Sequence, residues 1–516
     1  MRNVLSWLGV YTLLWLIATG GCVTPRPALP PVAPDYWPTQ AWRISTPEAQ
    51  GVDSGLLAQA VDLIREQGLA VDSLLIVRHG YVVLDAYFYP YTADRLHDVA
   101  SVTKSVTSTL TGIAIEEGLI DGLDAPLAGF FPEVTSLSSD PRKARITIRD
   151  LVSMSSGLRC GYEPGEVELQ AMLETPNWVH SVLDLPMAAE PGREFAYCSG
   201  NSHLLSAIIG HRAHSTTLEF AQRKLFVPLG IHKVVWPTDP QSVNRGWGEL
   251  QMTPRDLAKI GFLFLHRGRW EDRQILSSDW VEHATRAQIG VSKKDVDYGY
   301  GWWALKGKYA GLYEAQGRGG QFVTVAPARD VVVVFTGGFY DREQIAPLLL
   351  AAIKSDGPLP ENPLARAQLE RSLAAATRAP EPLPVPPLPS RARAISGQTY
   401  RFGKNPLGLE TFALHFDRLD EATFTLVSCA GRFVMPVGLD AVYRFSETSP
   451  SGLAAGLKGM WRSEYEFVLR YDEMAGPNTF VLYLDFEDDR INVRLDDPSG
   501  MWSFAAHALR EPTSSR

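Results

Sequence analysis

Nine prolines fall between residues 356 and 392, around one short helical stretch at 364–378. Proline fixes φ and lacks a backbone N–H, so neither a long helix nor a central strand can run through such a segment. It reads as a linker or belt between two domains. At 516 residues the chain is also too long for one ordinary domain. The texture changes across the belt. Residues 393–511 are a series of short alternating apolar runs separated by turn signals, such as YEFVLRYD and FVLYLDFEDDRINVRL. That spacing predicts an all-β domain, a barrel or a sandwich.

The section before the belt, residues 45–355, mixes both kinds of element. Residues 73–89 are two β-rich runs broken by His79-Gly80, a hairpin signal. Helical spacing of apolar and small residues follows at 101–117, 201–210 and 253–266, and a further helix is expected near 343–355. Thr147 with Asp150 predicts a capping box, and Thr253-Pro254 an N-cap followed by proline at the first helical position. From residue 311 strands return, with GRGGQFVTVAP and DVVVVFTGGF as two apolar runs. The first domain is therefore α+β.

Composition narrows the class. Hydrophobic residues are 45% and charged residues 21%, which excludes a disordered, collagenous or polytopic membrane chain. A net charge of -9 argues against a general nucleic-acid-binding surface. The eleven histidines are scattered and form no HExxH, and no CxxC occurs, so the sequence supports neither a metal site nor a cofactor.

Residues 1–22 read as an export signal. Arg2 precedes a largely apolar run from Val4 to Ala18, too short for a comfortable membrane span. Thr19, Gly20, Gly21 and then Cys22 resemble the end of a bacterial lipoprotein signal, in which the cysteine is lipidated and becomes the new N-terminus. Thr19 stands where such signals usually carry leucine. The alternatives are a plain signal peptide or an uncleaved anchor. Residues 23–44 are a proline-rich tether. The expected location is the periplasm or cell envelope, with membrane attachment through Cys22. An oxidising compartment permits a Cys160–Cys198 disulfide; otherwise these are buried thiols.

Ser101-Val102-Thr103-Lys104 opens a helical pattern. Residues three apart share a helix face, so Ser101 Oγ and Lys104 Nζ can meet. The helix N-terminus adds positive potential beside Ser101. A serine hydroxyl is a poor nucleophile until a base takes its proton, and a buried lysine can be that base. Tyr197, in FAYCSGN, could exchange protons with Ser101 if the Lys104 ammonium lowered its pKa. Gly317-Arg318-Gly319-Gly320-Gln321 falls on a predicted strand, where a backbone N–H could help to hold an oxyanion.

In this order, and with LVSMSSGL at 151–158, TPRDLA at 253–258 and YGYGWW at 298–303, these motifs resemble the penicillin-recognising serine hydrolase superfamily. The resemblance covers roughly 45–355. It is strongest to the class C β-lactamase-related branch, which also holds D-alanyl-D-alanine peptidases, esterases and 6-aminohexanoate-oligomer hydrolases. It implies a mainly antiparallel sheet flanked by helices, with a helical subdomain. It implies Ser101 as acylated nucleophile, Lys104 as activator and Tyr197 as base and then acid. The backbone N–H groups of Ser101 and Gln321 would form the oxyanion hole. Ser199, Arg318, Gly319, Gly320 and Trp302 would contact substrate, with Trp302 or its neighbour Trp303 walling the acyl pocket.

Two departures bear on substrate. Ser199 stands where β-lactamases of this type carry the asparagine of Tyr-x-Asn. Arg318-Gly319-Gly320 replaces Lys-Thr-Gly, which keeps a positive charge but loses a hydroxyl. Both favour an ester or amide, small-molecule or peptide, over a β-lactam. The rivals are a D-alanyl-D-alanine carboxypeptidase or β-lactamase on the same site, and a non-catalytic ligand-binding protein on the same scaffold. Oligomeric state is left open by the sequence.

Overall fold

The computed structural model describes residues 34, 36–162, 166–292, 295–416, 418–497 and 503–512. The export signal, with Cys22, and most of the tether lie outside them. Among the described residues no helix is long and apolar enough to cross a membrane.

The first domain is built on a nine-stranded sheet. Val71–Arg78 and Tyr81–Tyr87 form the expected hairpin, with His79 and Gly80 both at positive φ in its two-residue turn. Val331–Gly337 pairs with Val71–Arg78, and Gln321–Ala326 and Tyr313–Gly317 follow outward. Every pairing is antiparallel except the edge strand Arg43–Ile44, which runs parallel to Tyr81-Val82. Strand alternation sends successive side chains to opposite layers. Val332 and Val334 enter one core, with Val106 and Leu110 of the Val102–Glu116 helix and Phe262 of the Pro254–Leu265 helix. Val331 and Phe335 enter the other, with Leu57 and Ile64 of the Ser54–Glu66 helix. The predicted capping box at Thr147–Asp150 and the Thr253 cap before Pro254 are both formed.

The proline-rich segment is a belt. Its Pro363–Ala376 helix packs Leu369 and Ala376 into the core shared with Leu57 and Ile64. The chain then runs extended to the second domain, where the Leu383 N–H donates to the Asp440 carbonyl at 2.9 Å. That domain is a closed nine-stranded barrel spanning 399–510, sealed by a parallel bridge between Gly438 and Lys458. The barrel, rather than the sandwich, is the outcome for this region.

Helix and sheet approach closely at Gly261. A Cβ there would lie 2.6 Å from Val332 Cγ1 and 2.8 Å from Val323 Cγ1. Helix propensity alone favours Gly261→Ala by about 1 kcal/mol. Overpacking opposes it by about 1–3 kcal/mol. We expect a net loss of stability and a lower melting temperature in a thermal melt; a stabilised variant would show that the two layers separate easily here.

Candidate active site

Ser101 occupies the N-cap position of the Val102–Glu116 helix. The residue before it, Ala100, has φ 46°, a left-handed conformation that costs about 1 kcal/mol or more unless its surroundings fix it. They do. The Asp98 carboxylate accepts the Ala100 N–H at 2.8 Å, and Thr103 Oγ1 donates to the Ala100 carbonyl at 2.6 Å. The Val99 N–H donates to the Leu250 carbonyl at 2.9 Å. The bend before Ser101 is thus held from both sides.

Lys104 Nζ donates to Ser101 Oγ at 2.8 Å and to the Trp247 carbonyl at 3.0 Å. The lysine is 3% exposed. Burial disfavours its ammonium and lowers its pKa to about 8, against the opposing pull of Glu166. A lysine so placed spends a useful fraction of time neutral near physiological pH, with its lone pair beside a hydroxyl. This is the arrangement for deprotonating Ser101.

Tyr197 is present but differs from expectation. Lys104 Nζ sits over the face of its ring, 4.7 Å from the centroid. Burial pushes the phenol well above its ordinary pKa, and the hydrogen bond with Ser101 lowers it by less. The expected ammonium-induced lowering is therefore reversed, because the cation meets the ring and desolvation dominates. Tyr197 rests as a protonated phenol, and Lys104 is the better base. Its neighbourhood is rigid. Cys160 and Cys198 form a disulfide with Cα atoms 5.3 Å apart. Gly161 packs so closely that a Cβ would lie 2.0 Å from the Tyr197 carbonyl oxygen.

Two further expectations are corrected. Trp302 is fully buried, its ring 4.3 Å from that of Phe264 and 5.5 Å from that of Tyr313. It belongs to the core and does not wall the pocket. Trp303, which opens the Trp303–Leu305 strand, lies elsewhere, stacked on Tyr197 with centroids 5.9 Å apart and planes at 21°. The glycine-rich run is also not strand. Arg318, Gly319 and Gly320 form the turn between Tyr313–Gly317 and Gln321–Ala326, with Gly319 and Gly320 at φ 82° and 101°. The turn abuts the segment before Ser101, since a Cβ on Gly317 would lie 2.4 Å from the Val99 carbonyl oxygen. Gln321 opens the following strand, and its side-chain Nε2 donates to the Gly337 carbonyl at 2.6 Å.

Sequence reasoning missed three contributors. Trp247 acts through its carbonyl, which leaves no residue-type signal. Glu166 accepts the Ser199 N–H at 3.1 Å, and its charge acts on Lys104, Tyr197 and Arg318. The barrel reaches the site through the turn after Glu466–Glu473. There the Ala475 carbonyl accepts the Asp98 N–H at 2.8 Å. Pro477 fills the space where Gly319 would carry a Cβ, at 2.9 Å. No local sequence pattern marks the barrel contact, because 377 positions separate Asp98 from Ala475.

A helix-start serine held against a buried lysine, beside an antiparallel sheet, defines a serine hydrolase. The comparisons agree. The family model described as Beta-lactamase matches residues 54–349, and the chain belongs to that family. A 6-aminohexanoate-dimer hydrolase of Paenarthrobacter ureafaciens is 24% identical over 299 residues, 54% of this chain and 75% of that one. A D-aminopeptidase of Brucella anthropi is 27% identical over 177 residues, 31% of this chain and 30% of its own length. The crystal structure of a Bacteroides dorei protein assigned as a beta-lactamase aligns with a TM-score of 0.51 at 19% identity, covering 59% of this chain and all of that one. It shares the fold.

The sign of the pH dependence follows from Lys104. Below its pKa of about 8 the ammonium cannot accept the Ser101 proton. With a neutral ester, kcat/KM should rise with pH through an inflection near 8. Lys104→Arg, which stays protonated throughout, should abolish that limb and lower kcat/KM by about 100-fold or more. A profile flat from pH ~6 to ~9 would argue against Lys104 as the base.

Proposed function

We propose that this chain is an exported, lipid-anchored serine hydrolase that cleaves an ester or amide through an acyl-enzyme on Ser101. The observation that carries the reading is the buried Lys104 Nζ at 2.8 Å from Ser101 Oγ. Neutral Lys104 takes the hydroxyl proton as Oγ attacks the substrate carbonyl carbon. The oxyanion is received by the backbone N–H groups of Ser101 and Gln321. The tetrahedral species collapses, the bond to the leaving oxygen or nitrogen breaks, and Tyr197 gives that atom its phenolic proton while Lys104 returns one to Tyr197. Water then attacks the acyl carbon by the same route in reverse, and Ser101 regains its proton.

Ser199 and Arg318 in place of the β-lactamase residues support an ester or amide over a β-lactam. Export rests on the pattern of residues 1–22, and the Cys160–Cys198 disulfide fits an oxidising compartment.

Hydrolysis of a short p-nitrophenyl ester by the wild-type protein should fall by at least ~1,000-fold in Ser101→Ala. Equal rates in both would overturn the assignment. Stable labelling by a fluorescent penicillin with no ester turnover would favour the carboxypeptidase alternative. For the anchor, intact-mass analysis should find a mature chain that starts at an acyl-modified Cys22. A chain that starts elsewhere, or carries an unmodified Cys22, would remove the lipid anchor from the proposal.

A further inference from the structure

The nine-stranded sheet has a second cavity-bearing face, turned away from the Val102–Glu116 helix. Val332 and Val334 point to that helix, so Val331, Val333 and Phe335 point the other way, into the core shared with the Ser54–Glu66 helix. Between this face and the seven-residue Ala346–Ala352 helix the packing is incomplete. A pocket remains there, lined by Ile76, Leu312, Val333, Phe335, Leu349 and Leu350. Counted out to its open mouth it holds about 800 Å³, which falls within the ~300–1,000 Å³ of small-molecule sites. No residue of the Val102–Glu116 helix lines it, so it is separate from Ser101 and Lys104.

The aliphatic lining suits a hydrocarbon chain. A sugar or a nucleotide would leave its polar groups unpaired against it. The polar side chains of the lining are committed to one another, with one exception. Buried Glu314 accepts Thr324 Oγ1 and Gln316 Nε2 at 2.7 Å each, and Arg342 Nη1 meets both of its oxygens at 2.7 Å. The Tyr309 hydroxyl donates to the Glu343 carboxylate at 3.0 Å. The exception is Arg329, which ends the Pro327–Arg329 turn and is exposed at the mouth. Its Nη1 reaches the Leu350 carbonyl at 3.4 Å, which holds the guanidinium across the gap to the helix. Among the described residues no carboxylate forms an ion pair with it. With Glu314 neutralised by Arg342, the pocket keeps the uncompensated positive charge of Arg329 at its rim. Charge complementarity therefore calls for an anionic head on an apolar tail.

We propose that this pocket binds a monocarboxylate with an unbranched hydrocarbon tail of medium length, the tail between sheet and helix and the carboxylate at Arg329. The site is independent of the acyl-transfer reading and stands or falls without it. The tail supplies most of the affinity, because each buried methylene strengthens binding by about a factor of four. Arg329 is exposed, so its charge sets the preference among head groups by a smaller factor.

Calorimetric titration of the full chain with octanoate should show one saturable site. Hexanoate, two methylenes shorter, should bind about tenfold more weakly. Octylammonium, with the head charge reversed, should bind about fivefold more weakly than octanoate. Two variants locate the ligand. Arg329→Glu changes only the exposed rim and should reverse the preference between octanoate and octylammonium. Ala346→Trp fills the space between helix and sheet and should abolish the binding of both. If that variant does not melt cooperatively, Leu350→Asp takes its place, since a carboxylate among the lining side chains should likewise expel octanoate. Absence of a saturable octanoate site in the wild type would overturn the proposal. Equal wild-type affinity for the two head groups would overturn it as well. So would binding that survives undiminished in the filled variant, because octanoate would then occupy another place, such as the acyl site beside Ser101.

Discussion

Burying an unpaired lysine is among the costlier choices a fold can make, and the site depends on it. Lys104 can be held neutral part of the time only if water is kept away and its proton has few places to go. The Val102–Glu116 helix supplies both conditions. It is buried on nearly every side, and its polar residues meet main-chain carbonyls. Ser105 and Ser108 donate to the Gly301 and Tyr300 carbonyls at 2.6 Å each, and Thr107 to the Gly246 carbonyl at 2.8 Å. These bonds pin two irregular segments against the helix. One of them carries Trp247, whose carbonyl is the second acceptor for Lys104. The hydroxyl-rich helix therefore positions the lysine indirectly, by fixing the backbone that the lysine needs.

The same logic joins the two domains. A line of hydrogen bonds runs from the barrel to the bend before Ser101: the Ala475 carbonyl accepts the Asp98 N–H, and the Asp98 carboxylate accepts the Ala100 N–H. Asp98 is buried at that junction, and desolvation raises its pKa to about 7, with Glu249 and Glu473 adding to the rise. Ala475 itself is at φ 58°, so the barrel turn is shaped where it meets the catalytic domain. Pro477 meets the Arg318–Gly320 turn from the same side. The barrel thus touches the segments that bear both Ser101 and Gln321, and the belt at 356–392 contacts the first domain through Leu369 and Ala376 and the barrel through the Leu383–Asp440 hydrogen bond.

Local physics was legible in the sequence, and long-range placement was not. The hairpin at 73–89, the helix from 101, the capping box at Thr147 and the Thr253-Pro254 start each depend on neighbours within a few residues. Ser101 and Lys104 pair because three residues on a helix share a face, which is again local. The glycine-rich run was misplaced because strand pattern and hairpin turn share the same apolar flanks. Only the positive φ values of Gly319 and Gly320 distinguish them. The choice between Trp302 and Trp303 turned on where the Trp303–Leu305 strand begins, a one-residue difference that is weakly marked when both residues are tryptophan.

Tyr197 shows why a motif fixes a residue more readily than its role. Proximity to an ammonium lowers a phenol's pKa only where that attraction outweighs burial. Here the ammonium lies over the ring, and desolvation outweighs the hydrogen bond with Ser101. The division of labour follows from that competition. The group whose neutral form burial favours, Lys104, is suited to act as a base, and the group whose protonated form burial favours, Tyr197, is suited to act as an acid. Two residues pushed in opposite directions by one desolvated pocket are the kind of pair that the proposed acyl transfer calls for.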